Sequence, residues 1–290
     1  MKPAAFEYHT PRTVDEAVAL LARYGEEGKV LAGGQSLVPL MNMRLARPAN
    51  IIDINRIDAL AYLRRERGVL RLGALTRQRA AERSPIIAQH CPILRDALRL
   101  VGHAQIRNRG TVGGSIAHAD PAGELTAILL ALDGEVTVRG PKRTRVIAAA
   151  DLFVTYLTTS LDPHELLIEV RFPLPPEGAG WSWMEIARRH GDFALAGVGV
   201  VLAVRRGRIA EARIGLTGVG PTPVRAAQAE RGLVGQPPST ALWAEAAEAV
   251  RGAVEPDGDI HASAEYRKHV AGVLTLRALQ EAYERARKVA

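Results

Sequence analysis

The sequence predicts an α+β protein in two parts, and three observations carry that expectation. An Ala-Gly-Gly-Gln-Ser segment at 32–36 closes an early strand and leads into a helical stretch. A second glycine pair lies in Q-I-R-N-R-G-T-V-G-G-S-I-A-H-A-D-P-A-G-E at 105–124. Beyond Pro173, Pro175, Pro176, Gly178 and Gly180 the pattern changes to alternating strands followed by two helices. A chain of 290 residues exceeds one comfortable core, which agrees with two domains, 1–176 and 177–290, split at that linker-like stretch.

A short strand is expected at 6–8. Thr13 then caps a helix whose first turn holds Asp15 and Glu16, with Val14, Ala17, Val18 and Leu21 at helical spacing and Gly25 as its stop. Residues 29–32 read as a buried strand running into the first glycine turn, and 37–45 as a helix bearing Met41 and Met43. Strand, nest, helix is a phosphate-binding order. Strands follow at 50–54 and 68–72, and a short capped helix at 76–83. Leu94, Ala97, Leu98 and Val101 keep helical spacing over 93–101, so the second glycine segment begins just after a helix that ends at Gly102.

The apolar run 125–132 meets Asp133-Gly134, a dipeptide favoured in tight hairpins, and 135–139 alternates as a returning strand. Another apolar run at 166–170 ends at Phe172-Pro173. Strands at 181–186, 197–204 and 209–215 predict a three-stranded antiparallel sheet. Two helices pack on it: 240–250, capped by Ser239 or Thr240, and 264–287, with Val270, Val273, Leu274, Leu276 and Leu279 near helical spacing.

Composition narrows the function classes. With 47% hydrophobic and 24% charged residues the chain is of ordinary globular type. Its net charge of +7 is spread among acids, as in Arg64, Arg65, Glu66 and Arg67, and no basic stripe with interleaved aromatics accompanies it, so nucleic acid is not an expected partner. Cys91 is the single cysteine, so this chain alone can build neither a disulfide nor a thiolate-ligated iron–sulfur cluster. No stretch approaches the ~20 apolar residues of a membrane helix and the first residues lack an apolar signal core, which makes a cytoplasmic location the expectation.

Two adjacent glycines let the main chain approach an anion with no Cβ in the way, and consecutive free N–H groups in such a turn form a concave nest suited to a pyrophosphate. One Gly-Gly pair is commonly just a tight turn. Two of them, each with a serine (Ser36, Ser115) shortly after, suggest two backbone clamps on one dinucleotide. Gly215, Gly218 and Gly220 lack the G-x-G-x-x-G order and read as a structural turn before Pro221.

Four segments carry a family resemblance: A-G-G-Q-S-L-V-P at 32–39, R-N-R-G-T-V-G-G-S-I-A-H-A-D-P at 107–121, R-R-H-G-D-F-A at 188–194 and L-T-G-V-G-P-T-P-V-R-A at 216–226. Together they resemble the FAD-binding middle subunit of molybdenum hydroxylases, the flavoprotein type of aerobic carbon monoxide dehydrogenase and xanthine dehydrogenase. The resemblance spans nearly the whole chain. It implies a vanillyl-alcohol-oxidase/PCMH-type FAD-binding domain of two α/β subdomains, followed by the smaller C-terminal domain of this subunit type.

On that resemblance, Ala32, Gly33, Gly34, Gln35 and Ser36, with Thr111, Val112, Gly113, Gly114 and Ser115, bind the pyrophosphate and adjoining ribityl and adenosine groups. Glu124 is implied to reach a sugar hydroxyl as an ionised acceptor, and His118 to hydrogen-bond the cofactor rather than move protons. An aliphatic residue of the 166–168 strand, taken as Leu167, and the aromatic Phe193 are implied on the two sides of the isoalloxazine. Some relatives carry tyrosine at that loop position, so a hydroxyl is missing. The lysine of xanthine dehydrogenases has no counterpart near Met184 and Glu185, which leaves Arg188 or Arg189 as candidates for charge near flavin N1. Gln35 replaces the histidine through which some oxidases of this fold attach FAD covalently, so noncovalent FAD is expected.

The resemblance further implies an electron-transfer role: FAD takes electrons from [2Fe-2S] clusters of a small two-cluster subunit and passes them to an external acceptor. The molybdenum cofactor then belongs to a large partner subunit, in a dimer of heterotrimers. A free-standing flavin oxidoreductase of the same fold and a non-redox nucleotide-binding module remain the alternatives at this stage.

Overall fold

The computed structural model describes residues 1–289, with the side chains of 1–288. The N-terminal part holds two main sheets and a two-stranded one, Phe153–Thr155 with Thr158–Thr159. A small parallel sheet runs Glu7–His9, Asn50–Asp53, Gly28–Leu31. The helix Val14–Tyr24 supplies the crossover between its outer strands; Thr13 Oγ1 accepts the Glu16 N–H at 3.1 Å and Gly25, at φ +53°, ends the helix. Ala17, Val18 and Leu21 bury against Ile52 and Ile54, the small core behind the first glycine turn.

The second sheet is antiparallel, in the order Leu63–Glu66, Val69–Gly73, Leu166–Pro173, Glu135–Arg139, Thr144–Ala148. Val170 pairs with Leu72 on one side and Val136 on the other. Leu70, Leu72, Val136, Val138, Val170 and Phe172 face the main core, into which Pro92–Leu100 packs Ile93, Leu94, Ala97 and Leu98. The helices Gln78–Arg83, Pro85–His90, Ala104–Arg109 and Val112–His118 lie in the chain between the strands Val69–Gly73 and Glu135–Arg139.

Residues 125–132 do not form the strand of a hairpin. They lie in the helix Glu124–Ala131, buried on nearly every side between the main core and the C-terminal sheet; a Cβ on Gly215 would stand 2.5 Å from Ala127 O. A run that is apolar all round has no period to separate helix from strand. Asp133-Gly134 ends this helix: Asp133 sits at φ +53° and the Gly134 N–H returns to Leu129 O at 2.8 Å, an αL stop of the C-terminal kind. The strand at 135–139 forms as expected, but against Leu166–Pro173 and Thr144–Ala148.

Thr76 does not cap the helix Gln78–Arg83, because its Oγ1 donates to Tyr62 O at 2.5 Å and the N-cap position falls on Arg77. The C-terminal sheet has four strands rather than three, Gly180–Ile186, Ala196–Arg205, Arg208–Thr217 and the two-residue Val224–Arg225. Thr240–Ala253, capped by Ser239, and the long Ala264–Val289 close its inner face. A Cβ on Gly180 would meet the backbone of Ala282 and Ala286, so that helix lies directly on the first strand. Trp181 Nε1 donates to Asp96 Oδ2 at 3.0 Å, with Arg285 stacked 4.9 Å from the Trp181 ring, and this rivets the C-terminal domain to the helix Pro92–Leu100. Among the described residues no helix is long and apolar enough to cross a membrane.

Candidate functional site

The two glycine segments meet. Gly33 lies against the chain at 109–110, where a Cβ would stand 2.6 Å from Arg109 O and 2.8 Å from Gly110 Cα. A Cβ on Gly114 would come 3.8 Å from the Ala32 Cβ. A polar strap fixes the junction: Arg77 donates to Arg109 O (2.6 Å) and Asn55 Oδ1 (2.7 Å), and Asn55 Nδ2 donates to Ala32 O (2.7 Å). Burial and the nearby Arg109 lower the Arg77 pKa, and each of these carbonyl and amide acceptors offsets part of the cost of burying its charge. A cavity of about 290 Å³ opens over Gly33, Gly34 and Gln35, bordered by Asp53, Asn55 and Arg109. A second of about 250 Å³ continues past Asn55 and Arg77 to Tyr62 and Leu75.

The two segments differ in kind. At the first, Gly34 takes φ +74°, Gln35 Nε2 folds back on Gly33 O at 3.1 Å, and among the described residues no backbone or side-chain acceptor takes the N–H of Gly33, Gly34, Gln35 or Ser36. Four consecutive amides are thus left without a protein acceptor, and Gly33, Gly34 and Gln35 among them line the cavity. At the second, Gly113 and Gly114 form the first turn of the helix Val112–His118, and its amides are already bonded. Val112 N–H goes to Thr76 O (2.9 Å), Gly113 N–H to Ala74 O (3.1 Å), Gly114 N–H to Thr111 Oγ1 (3.0 Å) and Ser115 N–H to Thr111 O (3.1 Å). The notion of a second backbone nest is therefore corrected: that segment offers the hydroxyls of Thr111 and Ser115. Gly113 is glycine for close packing, since a Cβ there would stand 2.6 Å from Ala74 Cα.

Further along, His118 Nε2 lies 3.9 Å from Asp120 Oδ2. The loop to Glu124 is held by the C-terminal domain: Thr217 Oγ1 donates to Pro121 O at 2.7 Å, and Gly218, at φ +74°, donates its N–H to the same oxygen at 2.8 Å. Glu124 is buried, and burial with the neighbouring Glu185 carboxylate pushes its pKa up to about 8. Burial thus favours the protonated form over the ionised acceptor of the sequence reading, and a protonated carboxyl carries an O–H as well as an acceptor oxygen.

Leu167 lies on the strand Leu166–Pro173, which packs beside the helix Val112–His118, and neither Leu167 nor Phe193 lines the two cavities. Leu167 packs into the main core at 5% exposure, while Ile168 on the other side of the strand is only half-buried, against the small core. Phe193 is 72% exposed on its loop. That loop docks at the lead-in to the second segment, where Gly191, at φ +86°, lies against the His103 ring and His190 meets His103 edge-on at 5.5 Å. Arg188 and Arg189 both pair with Asp192 at 3.4 and 3.1 Å, two positive charges on one carboxylate. Sequence reading missed Asn55, Arg77 and Gln78, polar residues with no motif of their own whose partners lie more than twenty positions away.

Comparison with known proteins agrees with this geometry. Residues 4–175 match the family described as the FAD binding domain in molybdopterin dehydrogenase, and 181–282 the CO dehydrogenase flavoprotein C-terminal domain. The chain is 42% identical to the 6-hydroxypseudooxynicotine dehydrogenase complex subunit alpha of Paenarthrobacter nicotinovorans, covering 99% of this chain and 97% of that protein. It is 38% identical to the carbon monoxide dehydrogenase medium chain of Hydrogenophaga pseudoflava, over 98% of this chain and 99% of that one. The solved carbon monoxide dehydrogenase from the same organism superposes with a TM-score of 0.96 at 39% identity, covering 98% and 99% of the two chains. Quinoline 2-oxidoreductase from Pseudomonas putida 86 superposes with 0.94 at 34% identity, covering 99% of each. The chain belongs to the FAD-binding medium-subunit family of the molybdenum hydroxylases, the flavoprotein subunits of oxidoreductase complexes.

Proposed function

We propose that this subunit carries electrons between iron–sulfur clusters of a small partner subunit and an external acceptor, with FAD held noncovalently at the junction of 32–36 and 111–115. The carrying observation is the run of four unused amide donors at Gly33 to Ser36 pressed against the 109–110 backbone. That arrangement fits a pyrophosphate, with the Thr111 and Ser115 hydroxyls as further donors. Bound FAD supplies the redox chemistry; the chain binds and orients it. In this reading Glu124 meets a sugar hydroxyl, His118 bonds the cofactor, Phe193 covers one ring face, and the aliphatic face comes from the 166–168 strand, by Ile168 in place of the core-packed Leu167. Residues 1–176 hold the cofactor, and 177–290 contribute the Phe193 loop and the Pro121 clasp.

Relatives of similar identity are named for carbon monoxide, caffeine, nicotine and glyceraldehyde. One subunit type shared by such different substrates supports substrate choice elsewhere, in a molybdenum-cofactor large subunit. A dimer of heterotrimers is the assembly proposed. The test is the visible spectrum of the purified chain before and after adding FAD, with the heat-released cofactor identified and co-purifying chains analysed for molybdenum and iron. Flavin bands with released FAD are expected; a chain that takes no flavin either alone or with its co-purified partners overturns the reading.

A further inference from the structure

We infer that Gln78 is a positioning residue that turns the Ser115 hydroxyl outward as a hydrogen-bond donor to the bound FAD. This rests on the reading of Ser115 as a cofactor contact.

Gln78 is 3% exposed and stands at the first position of the helix Gln78–Arg83. Its own N–H is bonded to Gly110 O at 2.9 Å, and its Nε2 donates to Ser115 Oγ at 2.7 Å. A hydroxyl has one proton and two lone pairs. The Gln78 amide takes one lone pair, so the Ser115 proton cannot point back at Gln78. The route a helical serine often uses, a bond to the carbonyl four residues earlier, is made by Thr275 to Ala271 O in this structure, but Ser115 Oγ makes no such bond to Thr111 O, which accepts the Ser115 N–H. Among the described residues the Ser115 hydroxyl donates to no protein acceptor, and Ser115 follows Gly114, the glycine whose open side faces Ala32.

The other end of the amide explains why its orientation holds. Gln78 Oε1 is buried without a conventional partner. It lies against Gly110, where a Cβ would stand 2.9 Å from Gln78 Cδ and overlap Oε1, so the hydrogen that glycine carries instead faces the oxygen as a weak C–H donor. Rotating the amide by half a turn would put its NH2 group against that carbon, which accepts no hydrogen bond. Gly110 is in turn the residue on which Gly33 packs: a Cβ on Gly33 would stand 2.8 Å from Gly110 Cα. Gln78, Gly110 and Gly33 form one stack, and the first nest and the Ser115 donor are set by the same contact.

The test is FAD titration of the purified full-length chain by flavin fluorescence between about pH 5 and 8, with melting curves of the FAD-free proteins. The variants are Q78E, Q78M, S115A, Q78E/S115A and Q78M/S115A. The carboxylate that Q78E introduces accepts the Ser115 proton, so this variant is expected to bind FAD about tenfold more weakly at pH 8, the scale of one lost charge-assisted hydrogen bond, and to recover toward wild type at pH 5 as it takes a proton. S115A is expected to bind weakly, with Q78E/S115A no weaker. Losses that multiply in the double variant, or Q78E and Q78M binding like wild type, overturn the inference. Should Q78E melt without cooperativity, Q78M against Q78M/S115A decides on the same criterion. Wild type that takes no FAD removes the Ser115 reading and this inference with it, a result distinct from the others because every variant is then equally blank.

Discussion

Gly33 and Arg109 touch through backbone alone: a single added methyl at Gly33 would stand 2.6 Å from the Arg109 carbonyl oxygen. Residues far apart in the chain thereby become two walls of one site. Gly33→Ala is expected to push them apart and weaken FAD binding at least tenfold, with about 1–3 kcal/mol lost from stability as an overpacked contact. FAD titration beside thermal melting checks this, and unchanged affinity would place the cofactor elsewhere.

Gly114→Val presses on Thr111 Oγ1, which a Cβ at position 114 would approach to 2.6 Å and which now accepts the Gly114 N–H. Loss of the cap costs about 1 kcal/mol, and displacement of the hydroxyl is expected to abolish FAD uptake. A variant that retains one FAD per chain would show that this turn does not face the cofactor.

Phe193→Ala removes a side chain that is 72% exposed. Stability should change by less than about 0.5 kcal/mol, the range of ordinary surface substitutions. Flavin affinity and reduction potential should both move, and if neither does, Phe193 leaves the proposed site.

Glu124 titrates against stability. Its pKa is raised from the ordinary carboxylate value to about 8, so the folded state holds a proton that the unfolded state releases above about pH 4.3. Stability from this group is full below about pH 4.3 and falls as pH rises toward 8. Glu124→Gln should therefore melt higher than wild type at pH 8 and lose that advantage at pH 5. Parallel melting curves across this range that never converge would rule the buried protonated carboxyl out.

Glu169 behaves oppositely. It is 3% exposed on the middle strand of the five-stranded sheet, with Arg71 at 2.9 Å, Arg171 at 2.6 Å and the Tyr62 hydroxyl, and these partners outweigh its burial to hold its pKa at about 2. Its contribution is present above the unfolded value of about 4.3 and is lost as pH falls toward 2. Glu169→Ala leaves Arg71 with Glu66 and Arg171 with Glu135 but unpairs the Tyr62 hydroxyl and half of each guanidinium fork, and should cost about 1–3 kcal/mol. Urea unfolding at neutral pH measures this, and a cost below about 1 kcal/mol would mean the cluster is solvated.

Much of the fold was legible in one dimension because its signals are local. Thr13, the 3.6-residue spacing of Ala17, Val18 and Leu21, and the positive-φ stop at Gly25 specify a helix whatever surrounds it. The nest at Gly33 to Ser36 is likewise local, since it needs only glycine freedom after a strand. The tertiary structure decided the rest. Residues 125–131 became a helix because both sides are covered, and a segment buried all round carries no period. Gly113 and Gly114 became a helix start because Thr76 and Ala74 carbonyls from the edge of the sheet take the first two amides. Gln78, Asn55 and Arg77 acquired roles only through partners brought from distant stretches of chain. Glycine turns and caps are read from neighbours in sequence; the ionisation of Glu124 and the direction of the Ser115 proton depend on burial and on partners in space, which no spacing of residues encodes.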